Sequence, residues 1–286
     1  MNIYELAERL GGLDGLDPIA KPIAEAVGKL IPAGSFKDAL SGTWLGHSLH
    51  PALTDLPLGT WTSALLLDLL GGEESARAAE ILVGLGILSS LPTAASGLSD
   101  WSDTEAGEER VGLLHAASNV AALGLFGGSY SARRHGKHRL GVLLGLASGS
   151  ASVVGAYLGG HLTMGQGVGT NQTAFEDSFT EWTAVADQED IAEGRPVKVV
   201  RDGTQLVVVK QGTRLYALSS RCSHLGGPLG EGEVKGTTIV CPWHYSAFDL
   251  EDGAVVAGPA RCPQPAYEVR TRQAKIEVRL KESSRA

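Results

Sequence analysis

Long uncharged stretches dominate the first half of the chain. Residues 81–99, 111–132 and 140–160 contain no Asp, Glu, Lys or Arg. Each is close to the about 20 apolar residues that a helix needs to cross a bilayer. Residues 51–70 have a similar length but include Asp55 and Asp68. The pattern predicts an all-α bundle of four transmembrane helices, with a Gly/Ala-rich bundle in water as the alternative.

Other helical signals flank and mark these stretches. Apolar residues at helical spacing over 19–31 predict an amphipathic helix, which either lies at the membrane interface or packs on the next domain. Gly141, Gly145 and Gly149 recur every four residues within the last apolar stretch. This spacing of small residues favours close packing of helices in a membrane.

The periodicity changes to two in the last third of the chain. Five stretches favour strands, namely 196–200, 204–210, 214–219, 266–271 and 275–280. Asp202–Gly203 and Gln211–Gly212 are typical of tight hairpin turns. A small antiparallel all-β domain is therefore expected after the helices. The predicted boundaries are 1–46 for an N-terminal helical segment, 47–165 for the membrane domain, 166–180 for a linker and 181–286 for the β-domain.

Charge adds information about partners and sidedness. The net charge of −8 disfavours nucleic acid as a partner. The N-terminus lacks the basic and apolar regions of a cleaved signal peptide, so none is expected. Basic residues cluster between the third and fourth stretches, at Arg133, Arg134, Lys137 and Arg139. Because such loops stay in the cytoplasm, four spans would place both termini, and the β-domain, outside. The Arg pair also resembles a twin-arginine export signal.

Candidate metal ligands occur in two short stretches. Cys222 and His224 lie in CSHLGGPL, and Cys241 and His244 lie in CPWH. Thiolates and imidazoles at these spacings are typical metal ligands. A structural zinc site normally takes two Cys from one element and two His from another. The mixed loops instead suit a [2Fe–2S] cluster with two Cys on one iron and two His on the other. The third cysteine, Cys262, is expected to be a packing residue.

The two loops and the following segment SAFDLEDGAVVAGPARCPQPAYEVR resemble the Rieske [2Fe–2S] domain over residues 181–281. The resemblance implies that Cys222 and Cys241 bind the buried iron, and that His224 and His244 bind the solvent-facing one. It is to the ferredoxin and oxygenase subgroup, without the disulfide of quinol-oxidising complexes.

Five neighbours of the ligands are expected to tune the cluster: Gly227, Trp243, Tyr245, Ser246 and Phe248. Gly227 and Trp243 occupy the positions of the missing disulfide, and Tyr245 replaces a common glycine. Ser246 matches a serine that hydrogen-bonds the cluster, but Phe248 stands where a second donor, tyrosine, is expected. Since such bonds favour the reduced cluster, we expect a potential in the lower or middle part of the range of about −150 to +300 mV.

Residues 47–161 resemble an uncharacterised family of bacterial four-helix membrane proteins, through LGHSLHPALTDLPLGTW. In a four-span bundle, five polar residues are expected near one membrane face, namely His50, Asp55, His115, Asn119 and His161. Polar residues within a membrane domain usually face a cavity and are functional candidates. They could bind haem b, line a quinone and proton site, or hydrogen-bond the backbone at helix ends.

The sequence therefore predicts a multi-pass protein of the bacterial cell membrane that carries single electrons. The donor would be quinol or haem in the membrane, and the acceptor a partner protein. Two alternatives stay open. One is a subunit of a quinol- or substrate-oxidising enzyme whose active site lies in the helical domain. The other is a redox sensor whose membrane domain is a passive anchor.

Overall fold

The computed structural model describes residues 2–284, and the chain divides into two compact units. A helical unit comprises Met1–Ile31 and Leu49–Val168, and a β unit comprises Pro32–Ser48 and Gly169–Ala286. The described residues form seven α-helices: α1 (Ile3–Gly11), α2 (Asp17–Leu30), α3 (Ser35–Ser41), α4 (Leu49–Leu70), α5 (Ala76–Trp101), α6 (Ala106–Arg134) and α7 (His138–Met164). All except α3 belong to the helical unit.

Three helical segments are long and apolar enough to cross a membrane, namely Glu73–Trp101, Ala106–Arg134 and His138–Met164. The fourth predicted span corresponds to α4, which has the length but is not among these three segments; it carries Asp55 and Asp68. The predicted class, an all-α part followed by an antiparallel β part, is confirmed. The number of helices is larger than the predicted four.

An ion pair lies in the interior of the helical unit. The guanidinium of Arg133 on α6 donates from Nη1 to Asp68 Oδ1 on α4 at 2.8 Å, and both side chains are almost fully buried. The expectation that Arg133 belongs to a cytoplasmic loop was wrong, since it lies in the last turn of α6 and neutralises Asp68. The glycine stripe provides the space: a Cβ on Gly141 would meet Arg133 Cγ at 2.6 Å.

Ten strands form two antiparallel sheets in the β unit. Their bounds are β1 (Thr183–Asp187), β2 (Pro196–Arg201), β3 (Thr204–Gln211), β4 (Arg214–Ser219), β5 (Glu233–Lys235), β6 (Thr238–Val240), β7 (Ala247–Asp249), β8 (Val255–Ala257), β9 (Ala266–Arg272) and β10 (Lys275–Leu280). One sheet has the order β1-β10-β9-β4-β3-β2 and the other β5-β6-β7-β8. Leu206 and Val208 of β3 are buried in one core, and Val207 and Val209 in another.

Hairpin turns follow the predicted positions closely. Asp202 and Gly203 both have positive φ, as a type I′ turn requires, and join β2 to β3. The β3–β4 turn lies one residue later than predicted, at Gly212 and Thr213. Gln273 and Ala274 also adopt positive φ between β9 and β10. Neither residue type favours this conformation, so the turn is imposed by the pairing of its two strands.

Two segments outside the predicted β-domain pack within the β unit. The Thr43 hydroxyl donates to the carbonyl of Gly258, and Arg261 Nε donates to the carbonyl of Ser41, each at 2.6 Å. In the predicted linker, the Gln172 amide donates to the Ser223 carbonyl at 3.1 Å. The boundaries at residues 46 and 181 remain predictions. The contacts within the structure place residues 32–48 and 169–180 in the β unit as well.

Candidate metal centre

The predicted ligands lie on two loops. One follows a strand of the six-stranded sheet, and the other joins two strands of the four-stranded sheet. Cys222 and His224 follow β4, and Cys241 and His244 lie between β6 and β7. In the first loop the Cys222 amide donates to the Gly227 carbonyl at 2.8 Å, and the Gly226 amide donates back to the Cys222 carbonyl at 2.9 Å. This tight turn uses the positive φ of Gly226, which costs glycine little.

The second loop is closed in the same way. The Cys241 amide donates to the Ser246 carbonyl at 2.8 Å, and the Tyr245 amide donates to the Cys241 carbonyl at 3.2 Å. Tyr245 has a φ of +63°, so a residue with a side chain holds the left-handed conformation that favours glycine.

The four donors converge in pairs. Cys222 and Cys241 are 1% and 2% exposed and contact each other, while the His224 and His244 rings lie 5.2 Å apart. His244 is partly exposed, but His224 is only 7% exposed. That His224 and His244 bind the solvent-facing iron stays a prediction, and of the two rings His244 is the more exposed.

Hydrogen-bond donors surround both sulfurs. The backbone amide of His224 and the hydroxyl of Ser246 donate to Cys222, and the amides of Trp243 and His244 donate to Cys241. The contact with Cys222, together with these amides, lowers the pKa of Cys241 to about 7. The same contact, followed by burial, raises the pKa of Cys222. The loops thus favour a single negative charge on the sulfur pair, held by Cys241.

The first histidine is held in the form that binds metals. Burial, followed by the charges of His244, Arg261 and Lys37, keeps the pKa of His224 well below its ordinary value. The imidazole is therefore neutral at pH 7, and a neutral imidazole is the ligand form.

The donor geometry separates the two candidate metals. Within residues 2–284, no three His, Cys, Asp or Glu side chains come close enough to hold one ion. A structural zinc ion would require such convergence, because it takes four protein ligands. A [2Fe–2S] cluster takes only two protein ligands on each iron, since sulfides complete the coordination. The four residues and their amide donors fit the cluster.

The predicted tuning residues lie beside this centre. A Cβ on Gly227 would be 2.8 Å from Cys241 Sγ, and Trp243 packs over the same glycine with half of its side chain exposed. Ser246 is fully buried and also accepts from the Ala260 amide at 3.1 Å. Phe248 is buried in the core and offers no donor. The three cysteines form no disulfide, and Cys262 is half-buried.

Gln264 was not predicted, although it holds the first ligand loop. Its side-chain oxygen accepts from the Ser223 amide at 3.1 Å, and its amide nitrogen donates to the carbonyls of Ser219 and Arg221. The side chain is 1% exposed. A glutamine between two prolines gives no sequence signal of burial, so only the fold identifies this role.

The five polar residues predicted for the membrane domain do not form one site. His50 and His115 lie together, with ring centres 6.2 Å apart, and Asn119 Nδ2 lies 3.1 Å from His115 Nε2. His161 packs instead against Tyr4 and lies 3.1 Å from a Glu8 carboxylate oxygen. Asp55 is exposed.

Two known families match separate parts of the chain. Residues 181–268 match the Rieske [2Fe-2S] domain, and residues 46–172 match a family described as predicted membrane protein (DUF2231). The chain is 31% identical over 98 residues to Ferredoxin CarAc of Metapseudomonas resinovorans, which covers 34% of this chain and 92% of that protein. It is 28% identical to the anthranilate 1,2-dioxygenase ferredoxin subunit of Burkholderia cepacia, covering 37% of this chain and 97% of the subunit.

Longer relatives share only the same region. The oxygenase component of 3-ketosteroid-9-alpha-monooxygenase from Rhodococcus rhodochrous is 36% identical over 104 residues, and the match spans only 25% of its length. Among solved structures, the ferredoxin of carbazole 1,9a-dioxygenase from Nocardioides aromaticivorans IC177 is 33% identical, with a TM-score of 0.33. That match covers 35% of this chain and 98% of the ferredoxin.

The β unit thus defines an electron-transfer protein with a [2Fe–2S] cofactor. The chain belongs to the Rieske [2Fe-2S] domain proteins, of the ferredoxin-like kind, and carries a DUF2231 membrane domain ahead of that domain.

Proposed function

We propose that the protein is a membrane-tethered Rieske iron–sulfur protein that carries single electrons between a donor in the membrane and a partner protein. The observation that carries this proposal is the arrangement of two buried thiols and two imidazoles on hydrogen-bonded loops. The bound cluster accepts and releases one electron at a time. Cys222 and Cys241 would hold the inner iron, and His224 and His244 the outer one.

The protein's own residues fix the charge and the access of this centre. Amides directed at Cys241 stabilise added negative charge without reorganisation, because they are already held by the loop. His244 is partly exposed and would connect the outer iron to the protein surface. Trp243 and Tyr245 beside it are 52% and 61% exposed, and exposed aromatic side chains suit a protein partner.

The β unit also supports four membrane spans. It contains both residues 32–48 and residues 169–284, joined by the Thr43–Gly258 hydrogen bond. The chain must therefore return to the side from which it left, which requires an even number of crossings. Three spans do not satisfy this condition, and in the proposed topology α4 would be the additional span. Pairing of Asp68 with Arg133 removes much of the cost of charge in α4.

Electron paramagnetic resonance of dithionite-reduced membranes tests the cofactor. We expect the signal of a cluster with mixed sulfur and nitrogen ligands in the parent protein and in Cys262→Ser, a matched control. Cys241→Ser should lose it. Stoichiometric zinc in place of iron, or an unchanged signal in Cys241→Ser, would exclude the proposed centre.

The span count is tested by labelling single introduced cysteines from either side of the membrane. With four spans, Ser35→Cys, which lies before α4, and Lys235→Cys are labelled from one side, and Glu74→Cys and Lys137→Cys from the other. Labelling of Ser35→Cys and Lys235→Cys from opposite sides would contradict the proposed topology. If Lys235→Cys is reached from the cytoplasm, the predicted extracytoplasmic location of the β unit is wrong.

A further inference from the structure

The helical unit consists of two similar hairpins, α4–α5 and α6–α7. Three side-chain pairs join α4 to α6, namely His50 with His115, Trp61 with Phe126, and Asp68 with Arg133. The two members of every pair are 65 residues apart in the chain. Equivalent positions of the two hairpins therefore meet face to face along the bundle.

Each hairpin holds its histidine in the same way. His50 Nδ1 is 2.9 Å from the Thr93 carbonyl on α5, and His115 Nδ1 is 2.8 Å from the Gly155 carbonyl on α7. Four residues after each carbonyl, a glycine lies against the ring. A Cβ would approach the His50 ring to 2.7 Å at Gly97 and the His115 ring to 2.9 Å at Gly159.

These contacts determine the tautomer of both rings. A carbonyl oxygen only accepts hydrogen bonds, so Nδ1 carries the proton in His50 and in His115. In the neutral form of each ring, the lone pair is consequently on Nε2. A backbone carbonyl that fixes Nδ1 is the usual outer partner of a metal-bound histidine.

The spacing of the two rings suits one metal ion between them. With metal–nitrogen distances of about 2 Å and each ring centre roughly 1 Å behind its nitrogen, the two centres would lie about 6 Å apart. The observed separation is 6.2 Å, with the ring planes at 86°. A bare ion would need further protein ligands, and the described residues provide no group of three donors. A porphyrin supplies four nitrogens itself and needs only two axial imidazoles.

We propose that His50 and His115 are the axial ligands of a haem held between the two hairpins. Asn119 Nδ2 lies against the His115 ring, 3.1 Å from Nε2 and 3.5 Å from Nδ1, and its side chain must move to make room for the porphyrin. Haem exchanges one electron at a time, as the Rieske cluster does. It would therefore be the membrane donor in the proposed function, although its presence does not depend on the cluster.

The test uses the full-length protein, purified in detergent from cells supplied with haem precursor. Its optical spectrum and pyridine haemochrome should show about one low-spin haem per chain. His50→Ala and His115→Ala should each lose this haem but keep the Rieske paramagnetic signal, which verifies folding. His161→Ala is the matched control and should keep both, because His161 contacts α1 instead. Asn119→Ala should retain haem.

A second variant distinguishes loss of an iron ligand from loss of folding. His50→Met should keep haem but shift its reduction potential upward, since a thioether replaces one imidazole. The proposal is overturned if the parent protein carries the cluster and no haem. It is equally overturned if His50→Ala/His115→Ala retains full haem content, or if extraction yields a bound quinone and no haem. Absence of the cluster with haem present would instead contradict the function proposed above.

Discussion

Gly227 lies directly against the sulfur of Cys241, and a Cβ atom on this glycine would be only 2.8 Å from Sγ. Trp243 closes the other side, with ring carbons 3.2 and 3.3 Å from the same point. Real Cβ atoms do not approach other atoms so closely, so Cys241 or the loop would have to shift. The absence of a side chain at residue 227 is thus part of the cluster pocket.

Gly227→Ala should therefore reduce cluster content strongly, because either Cys241 or the loop must move. Iron and acid-labile sulfide analysis of the purified protein measures this content. Gly28→Ala is a suitable control, since a Cβ there meets nothing within 4 Å. A fully loaded Gly227→Ala protein would show that the loop is more adaptable than its packing indicates.

Ser246→Ala should lower the reduction potential. The hydroxyl donates to the Cys222 sulfur and stabilises the reduced state, which carries more negative charge. A loss of about 1 kcal/mol in that difference corresponds to about 40 mV for one electron. Redox titration followed by circular dichroism provides the value. Ser223→Ala should change the potential less, because that hydroxyl donates to the Cys262 carbonyl. A higher potential for Ser246→Ala would contradict the assignment.

Breaking the buried ion pair of the helical unit should be costly. Asp68→Asn or Arg133→Gln leaves one charge buried without its partner, and we expect a loss of about 3–5 kcal/mol in unfolding free energy. Asp68→Leu/Arg133→Leu should recover most of this loss. Unfolding in mixed detergent micelles gives the comparison. Equal stability of the single and double variants would mean that the two charges do not interact.

Glu176 should make the β unit less stable as the pH rises. Burial raises its pKa above the ordinary carboxyl value, although the Ser219 hydroxyl donates to it and Arg221 lies nearby. A raised pKa gives stability that is present below the unfolded-state value and is lost as the pH rises through the folded-state value.

Glu176→Gln should accordingly raise the midpoint of thermal cluster loss at pH 7 and have little effect at pH 4. Visible absorption in a temperature ramp records that midpoint. Exposed Glu189→Gln serves as the reference. If Glu176→Gln stabilised the protein more at pH 4 than at pH 7, a raised pKa of Glu176 would be contradicted.

The sequence predicts the regular parts of this protein because their patterns are local. Uncharged runs indicate the helices, and alternation over 204–210 identifies β3 within one residue. The ligand loops are predictable because Cys and His at fixed spacings have few other uses. Asp202–Gly203 identifies its turn, since glycine favours positive φ, whereas Gln273–Ala274 does not.

Other features depend on contacts between distant residues. From the sequence, Arg133 resembles a charged residue of a loop. Its partner Asp68 lies on α4, 65 residues away in the chain, and only the fold brings the two together. His50, His115 and His161 look equivalent in sequence, but only His161 packs against α1, through Tyr4. Burial of His224 and the role of Gln264 likewise depend on chain segments that no local pattern connects.

The attachment of residues 32–48 to Gly258 and Arg261 has a consequence for biosynthesis. The first piece of the iron-binding fold leaves the ribosome before any membrane helix, and the remainder emerges only after the last one. The helical unit must therefore be synthesised before the β unit can fold completely. Until then, residues 32–48 lack the strands that they contact in the folded protein. A soluble fragment that starts at residue 181 would be produced without that piece.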